Sequence, residues 1–164
     1  MSLRRLISLS AFAVLLHTLP AMAAEQVPFQ GVWSGSTVSA TPVGPNVVLV
    51  VSSGSGKTTH LGKMVMTSPH LTYLDTFAVE GTQVFTAANG DVLNATITGQ
   101  FVPNAEGNLE ATLVGLITGG TGRFEGASGS YDFHIIARPA AFGFDSTATF
   151  NGTISTVGSN NQEG

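Results

Sequence analysis

The chain contains no cysteine. That excludes disulfide scaffolds, thiolate zinc sites and cysteine nucleophiles together. Charge is scarce, with 10% of residues charged and six Lys and Arg against ten Asp and Glu, a formal balance of −4. There is no basic footprint, so nucleic acid is excluded as a partner. Disorder is excluded as well, because low charge accompanies an ordinary apolar content of 43%. After residue 24 no apolar run is long enough to span a bilayer as a helix, and no sustained helical period follows. A Ser-His-Asp order, a nucleophile elbow and a paired-carboxylate motif are all missing. What remains is 164 residues, room for one domain. A chain of this size buries roughly 68–70% of its unfolded surface and holds a core without staples.

Residues 1–23 read as an export signal. Arg4 and Arg5 form a basic start, residues 6–16 are apolar, Pro20 breaks the run, and Ala21-Met22-Ala23 supplies an A-x-A cleavage site. General and twin-arginine export both stay open. The expected location is therefore periplasmic or secreted, with no membrane insertion once the signal is removed. Residues 24–164 are expected to form a single domain with a short flexible C-terminal tail. Four cations then remain (Lys57, Lys63, Arg123 and Arg138) against the same ten acids, giving −6. Such a charge favours solubility and disfavours anionic polymers and lipid surfaces.

The rest is strand and turn. Runs rich in Thr, Val, Ile and Phe alternate with Gly, Asn, Pro and Ser clusters. Strands are expected at residues 31–40, 47–52, 58–67, 71–79, 83–86, 92–101, 109–118, 129–137 and 142–155. Phe142, Phe144, Ala148, Phe150 and Ile154 share one face of the last, while Asp145, Thr147, Thr149, Asn151 and Thr153 share the other. Leu93, Ala95, Ile97 and Phe101 oppose Asn94, Thr96 and Thr98 in the same way. One apolar and one polar face per strand implies an antiparallel sheet packed on one side. Asn89-Gly90 signals a type I′ hairpin, and residues 104–108 a longer polar loop. Eight or nine short strands imply a barrel or sandwich, and closure removes exposed edges.

Five glycines fall within eleven residues in Gly119-Gly120-Thr121-Gly122-Arg123-Phe124-Glu125-Gly126-Ala127-Ser128-Gly129. They allow positive φ and close backbone approach, with Phe124 placed to plug a barrel end and Arg123 and Glu125 to tie the loop to a neighbouring strand. This run resembles the strand–GGxGxFxGAxG–strand element of allene oxide cyclase and dirigent-type barrels. The runs at residues 59–63 and 85–91 are similar to those of exported bacterial members of unknown role. The resemblance implies an all-β fold, an eight-stranded antiparallel β-barrel of calycin-like shape. Dirigent-type relatives are often trimers, so the resemblance also leaves a homo-oligomer, dimer or trimer, open. Plant allene oxide cyclases use an acidic residue near the first strand. Gly31-Val32-Trp33-Ser34-Gly35-Ser36-Thr37 has none, so that reaction does not carry over.

Among the chemical candidates, Ser53-Gly54-Ser55-Gly56-Lys57-Thr58 looks like the end of a phosphate loop. It lacks the leading Gly, since Val51 stands there, and no helix follows; a hairpin turn is the better reading. His60, His70 and His134 have no metal-pair spacing, so no metal and no cofactor are expected. His60 shares an alternating face with Thr58, Gly62 and Met64, where a lumenal imidazole would serve as base or donor near pH 7. Tyr73 and Asp75 share another face and would position a substrate beside it. Asn94, Glu110, Tyr131 and His134 are candidates for the barrel mouth, although Tyr131 and His134 fall on opposite faces. Asn94-Ala95-Thr96 and Asn151-Gly152-Thr153 match glycosylation sequons, read as chance strand residues in a bacterial-looking context.

Two functional readings follow. In the first, the barrel holds a small apolar or aromatic molecule in its lumen, with cofactor-independent isomerase, cyclase or lyase chemistry as its catalytic form. In the second, the lumen is packed and the protein is a non-catalytic envelope or binding module. Outward-pointing Asn94, Thr96 and Thr112 would mark the second; inward-pointing ones would mark a polar, roomy lumen.

Overall fold

The computed structural model describes residues 24–155. The export signal expected over residues 1–23 and the tail after residue 155 lie outside the described residues. Among the described residues nine strands form in chain order: β1 (Gln26–Gly44), β2 (Val47–Thr58), β3 (Gly62–Tyr73), β4 (Ala78–Ala87), β5 (Val92–Gln100), β6 (Val102–Pro103), β7 (Leu109–Gly120), β8 (Gly129–Pro139) and β9 (Phe144–Ser155). β6 is a two-residue extension beside β7. The other eight each pair antiparallel with their sequence neighbours, β5 pairs with β7, and β9 returns to β1. The sheet thus closes on itself as an eight-stranded antiparallel β-barrel, and no long strand is left with an open edge.

The period-2 pattern decides which face is inside. Leu93, Ala95 and Ile97 are buried on β5, and Ala148, Phe150 and Ile154 on β9, while Thr96, Thr98, Thr147 and Thr149 stay exposed. Rings and methyls fill the lumen, and threonines coat the outside. A short 3-10 turn at Gly122–Phe124 closes one end, with the Phe124 ring fully buried against the core. The expected plug is therefore in place. Arg123 reaches Asp91 at 3.7 Å and stacks over Phe124 at 5.0 Å, so it ties the loop to the start of β5.

Three local expectations are corrected. Residues 53–58 lie within β2 and make no turn. Gly54 is needed there because a Cβ would fall 2.1 Å from the Ser34 carbonyl, so its glycine serves close strand approach. The segments expected at 58–67, 71–79 and 83–86 are two strands, β3 and β4, joined by a turn at Leu74, Asp75 and Thr76. Pro69 survives inside β3 because pairing with β4 lapses between Thr67 and His70, so its missing N–H removes no ladder bond there. Finally, Gly90 has positive φ but Asn89 does not. The β4–β5 turn is not type I′. It is a longer loop in which Asn89 Oδ1 accepts from the Asp91 amide at 3.1 Å.

Candidate functional site

The lumen comes first, because both functional readings depend on it. Phe29 and Trp33 enter from β1, Phe85 from β4, Tyr131 and Phe133 from β8, and Phe150 from β9. In the ring of strands β4 stands four places from β9, on the opposite wall. Phe85 and Phe150 nevertheless meet at 5.5 Å between centroids. Phe29, Phe85, Tyr131 and Phe150 all touch one another, at 5.3 to 6.2 Å, in edge-to-face or tilted geometry. The rings span the barrel from wall to wall. Gly115 makes space for one of them, since a Cβ there would fall 2.2 Å from the Tyr131 ring.

Polar atoms are set into this apolar filling. Tyr131 Oη donates to Gln83 Oε1 at 2.6 Å, and both side chains are buried. Burial pushes the Tyr131 phenol far up from its usual range, so it stays a neutral donor. Gln83 Nε2, Trp33 Nε1 and Thr58 Oγ1 are buried without a hydrogen-bond partner among the described residues. Gln83 and Trp33 face the lumen, since they share the faces of buried Phe85 and Phe29.

His70 sits farther along β3, its Nδ1–H donating to the Ser68 carbonyl at 2.9 Å. Burial lowers its pKa from 6.5, outweighing the carbonyl contact that raises it. The unfolded chain therefore takes up a proton on His70 before the folded protein does. Stability falls as pH drops below 6.5 and levels off below the lowered folded value. Urea titrations between pH 7 and 5 should show this slope in the wild type and a shallower one in His70→Gln. Equal slopes would remove His70 as its source.

The candidate residues scatter. His60 lies in the β2–β3 turn with φ +67, its Nε2–H donating to the Pro28 carbonyl at 3.0 Å. The strand expected over residues 58–67 begins only at Gly62, with Thr58 ending β2, because Leu61 turns in to plug the barrel end and the chain must reverse there. Tyr73 closes the other end of β3 and donates to Glu80 Oε1 at 2.5 Å. That bond to a carboxylate, followed by burial, raises its pKa. Asp75 is exposed in the next turn. At about 3.3 Å per residue the length of β3 keeps His60 roughly 40 Å from Tyr73 and Asp75. The three do not form one constellation. Of the mouth residues, Tyr131 points inward, and Asn94, Glu110 and His134 point outward. His134 and Glu110 do come together on the outer surface, with Nε2 to Oε1 at 3.5 Å and Nδ1 to Thr112 Oγ1 at 3.3 Å.

That surface is one rim of a groove of about 990 Å³. It runs across six consecutive strands, from β4 through β3, β2, β1 and β9 to β8. Strand register arranges its walls as two cross-strand rows. One reads Lys63, Lys57, Val32, Thr149, His134; the other reads Val65, Ser55, Ser34, Thr147, Ile136. Neighbours in such a row have Cβ atoms about 4.5–5.5 Å apart. Val32 and Val65 are more than half exposed within it. Lys57 and Lys63 stand directly opposite one another, which is destabilising for like charges. Among the described residues neither has a carboxylate within salt-bridge distance. None of the groove-lining residues is acidic. Sequence reasoning missed this groove. The available signal was a hairpin folded about His60, which sets Lys57 against Lys63.

No family model matches the chain, and no curated protein matches it. Among solved structures, a pterocarpan synthase dirigent protein is similar at 14% identity and a TM-score of 0.44, over 85% of this chain and 90% of that one.

Proposed function

We propose that this protein is an exported, non-catalytic binding barrel. Its filled lumen acts as a rigid scaffold, and its outer groove takes a small ligand with an apolar body. The observation that carries this reading is the contact of Phe85 with Phe150 across the lumen, where a ligand would otherwise sit. Outward-facing Asn94, Thr96 and Thr112 support it, because a lumen lined by them would have been polar and roomy. The groove offers what the lumen does not: an apolar floor at Val32, Val65 and Ile136 open to solvent, with polar groups at its edges.

The test is titration with the neutral, apolar dye Nile red. One site per chain is expected, lost in Val65→Glu and kept in Tyr131→Phe. Loss in Tyr131→Phe with Val65→Glu unchanged would overturn the reading. A lumenal ligand is the second reading, and one observation favours it: Gln83 Nε2 and Trp33 Nε1 face the lumen as unpartnered donors. A ligand accepting from both would change the emission of Trp33, the single tryptophan of the chain. Export is tested on chain recovered outside the cytoplasm, whose N-terminus is expected near Ala24.

A further inference from the structure

We infer that the outer groove is built for an amphipathic anion, with a carboxylate or similar oxyanion head held between Lys57 and Lys63 and an apolar body lying over Val32 and Val65. This rests on the groove being the ligand site.

Three observations converge on it. Cations are rare in the chain, with four Lys and Arg after residue 24. Lys57 and Lys63 line the groove, and Arg138 donates to groove residue Thr147 at 3.1 Å. Two of the four therefore line the groove and a third bonds to its wall, in an acidic protein. Secondly, the basic side chains at the two ends of the groove differ in their partners. His134 faces Glu110 at 3.5 Å, and Arg138 stands opposite Asp145 in the strand register. Among the described residues the Lys57–Lys63 end has no such compensation, and its two ammonium groups oppose each other across adjacent strands. An anion between them would turn a repulsive pair into two charge-assisted contacts. Thirdly, the apolar floor begins next to the lysines. Val32 is the cross-strand neighbour of Lys57, and Val65 lies two residues along β3 from Lys63. From Lys57 to His134 the row crosses three strand spacings, roughly 14 Å at about 4.8 Å each. That is enough length for a short alkyl or aryl body.

The general field would otherwise repel such a ligand, because the chain carries a net negative charge. The lysine pair supplies a local site of the opposite sign. A neutral molecule would gain from the floor alone, and a cation would meet repulsion at the lysine end.

The decisive experiment is an amide-detected NMR titration of the folded protein with octanoate, octan-1-ol and octylammonium. Octanoate should shift amides of β1, β2 and β3 along the groove, with a Kd about tenfold below that of octan-1-ol. It should weaken with added salt. The Lys57→Gln, Lys63→Gln double variant should raise the octanoate Kd to that of octan-1-ol, leave octan-1-ol unchanged, and melt no lower than the wild type. Equal affinity for octanoate and octan-1-ol, unaffected by the double variant, would overturn the anion assignment while the groove reading stands. Preference for octylammonium would overturn it too. If no ligand shifts the groove amides, both the inference and the groove reading fail.

Discussion

Replacing Phe150 with alanine is expected to lower folding stability by about 3–5 kcal/mol. The ring touches Phe29, Phe85, Tyr131 and Phe133, the last at 4.8 Å between centroids. It is anchored on the wall opposite Phe85, so no single neighbour can relax into the space it leaves. Domains of this kind hold about 5–15 kcal/mol in total, so the variant loses a large share and melts roughly 10 °C lower or more. Phe150→Leu, which keeps most of the volume, should cost less than about 1.5 kcal/mol. Urea denaturation measures both, with an unchanged slope as the sign that the same structure unfolds. A cost below about 1 kcal/mol for Phe150→Ala would mean a loosely filled barrel, and the argument against a lumenal ligand would weaken with it.

The fold was legible because its signals are local and repeated. Alternation at Leu93, Ala95 and Ile97 and again at Ala148, Phe150 and Ile154 separates an apolar face from a threonine face. The glycine run around Phe124 marks the closed end. Strand boundaries were harder. Strands expected at 58–67 and 71–79 leave Pro69 in a gap, and its place inside β3 depends on a lapse in pairing with β4 that no local pattern reveals. Residues 53–58 look like a turn because glycine serves both turns and tight strand contacts, and the Ser34 carbonyl that decides between them lies on another strand.

The candidate site was far less legible. His60 is attractive only if its strand continues, and the turn that buries Leu61 stops it two residues short. Tyr73 ends β3 and Asp75 lies just beyond it, at the far end of the strand from His60. The groove is written in register rather than in any motif. Lys57, Lys63, Val32, Thr149 and His134 span much of the chain and become neighbours only when five strands align. Of the residues singled out, His134 lines it, as do Ser55, Gly56 and Lys57 of the run read as a hairpin turn.

The buried Tyr131–Gln83 pair sharpens the choice between lumen and groove. Tyr131→Phe removes the donor at 2.6 Å and leaves both ends of the Gln83 amide without partners in an apolar setting, since Nε2 already lacks one. A cost of about 1–3 kcal/mol is expected. Gln83→Met removes the orphaned amide but strands the Tyr131 hydroxyl, so loss and gain oppose each other. Combining Tyr131→Phe with Gln83→Met replaces both partners by apolar groups of similar shape, and the double variant should return to wild-type stability or exceed it. Thermal and urea unfolding of the four proteins closes the cycle. Additive losses would mean that the pair is not coupled as drawn. A polar pair whose joint removal costs nothing in stability contributes little as scaffold, and its effect on ligand binding then separates the two functional readings. If Nile red and octanoate bind the double variant as they bind the wild type, the barrel interior is filling, and recognition belongs to the outer groove. If the double variant folds but binds neither, Gln83 and Tyr131 hold the ligand, and the lumen is the site.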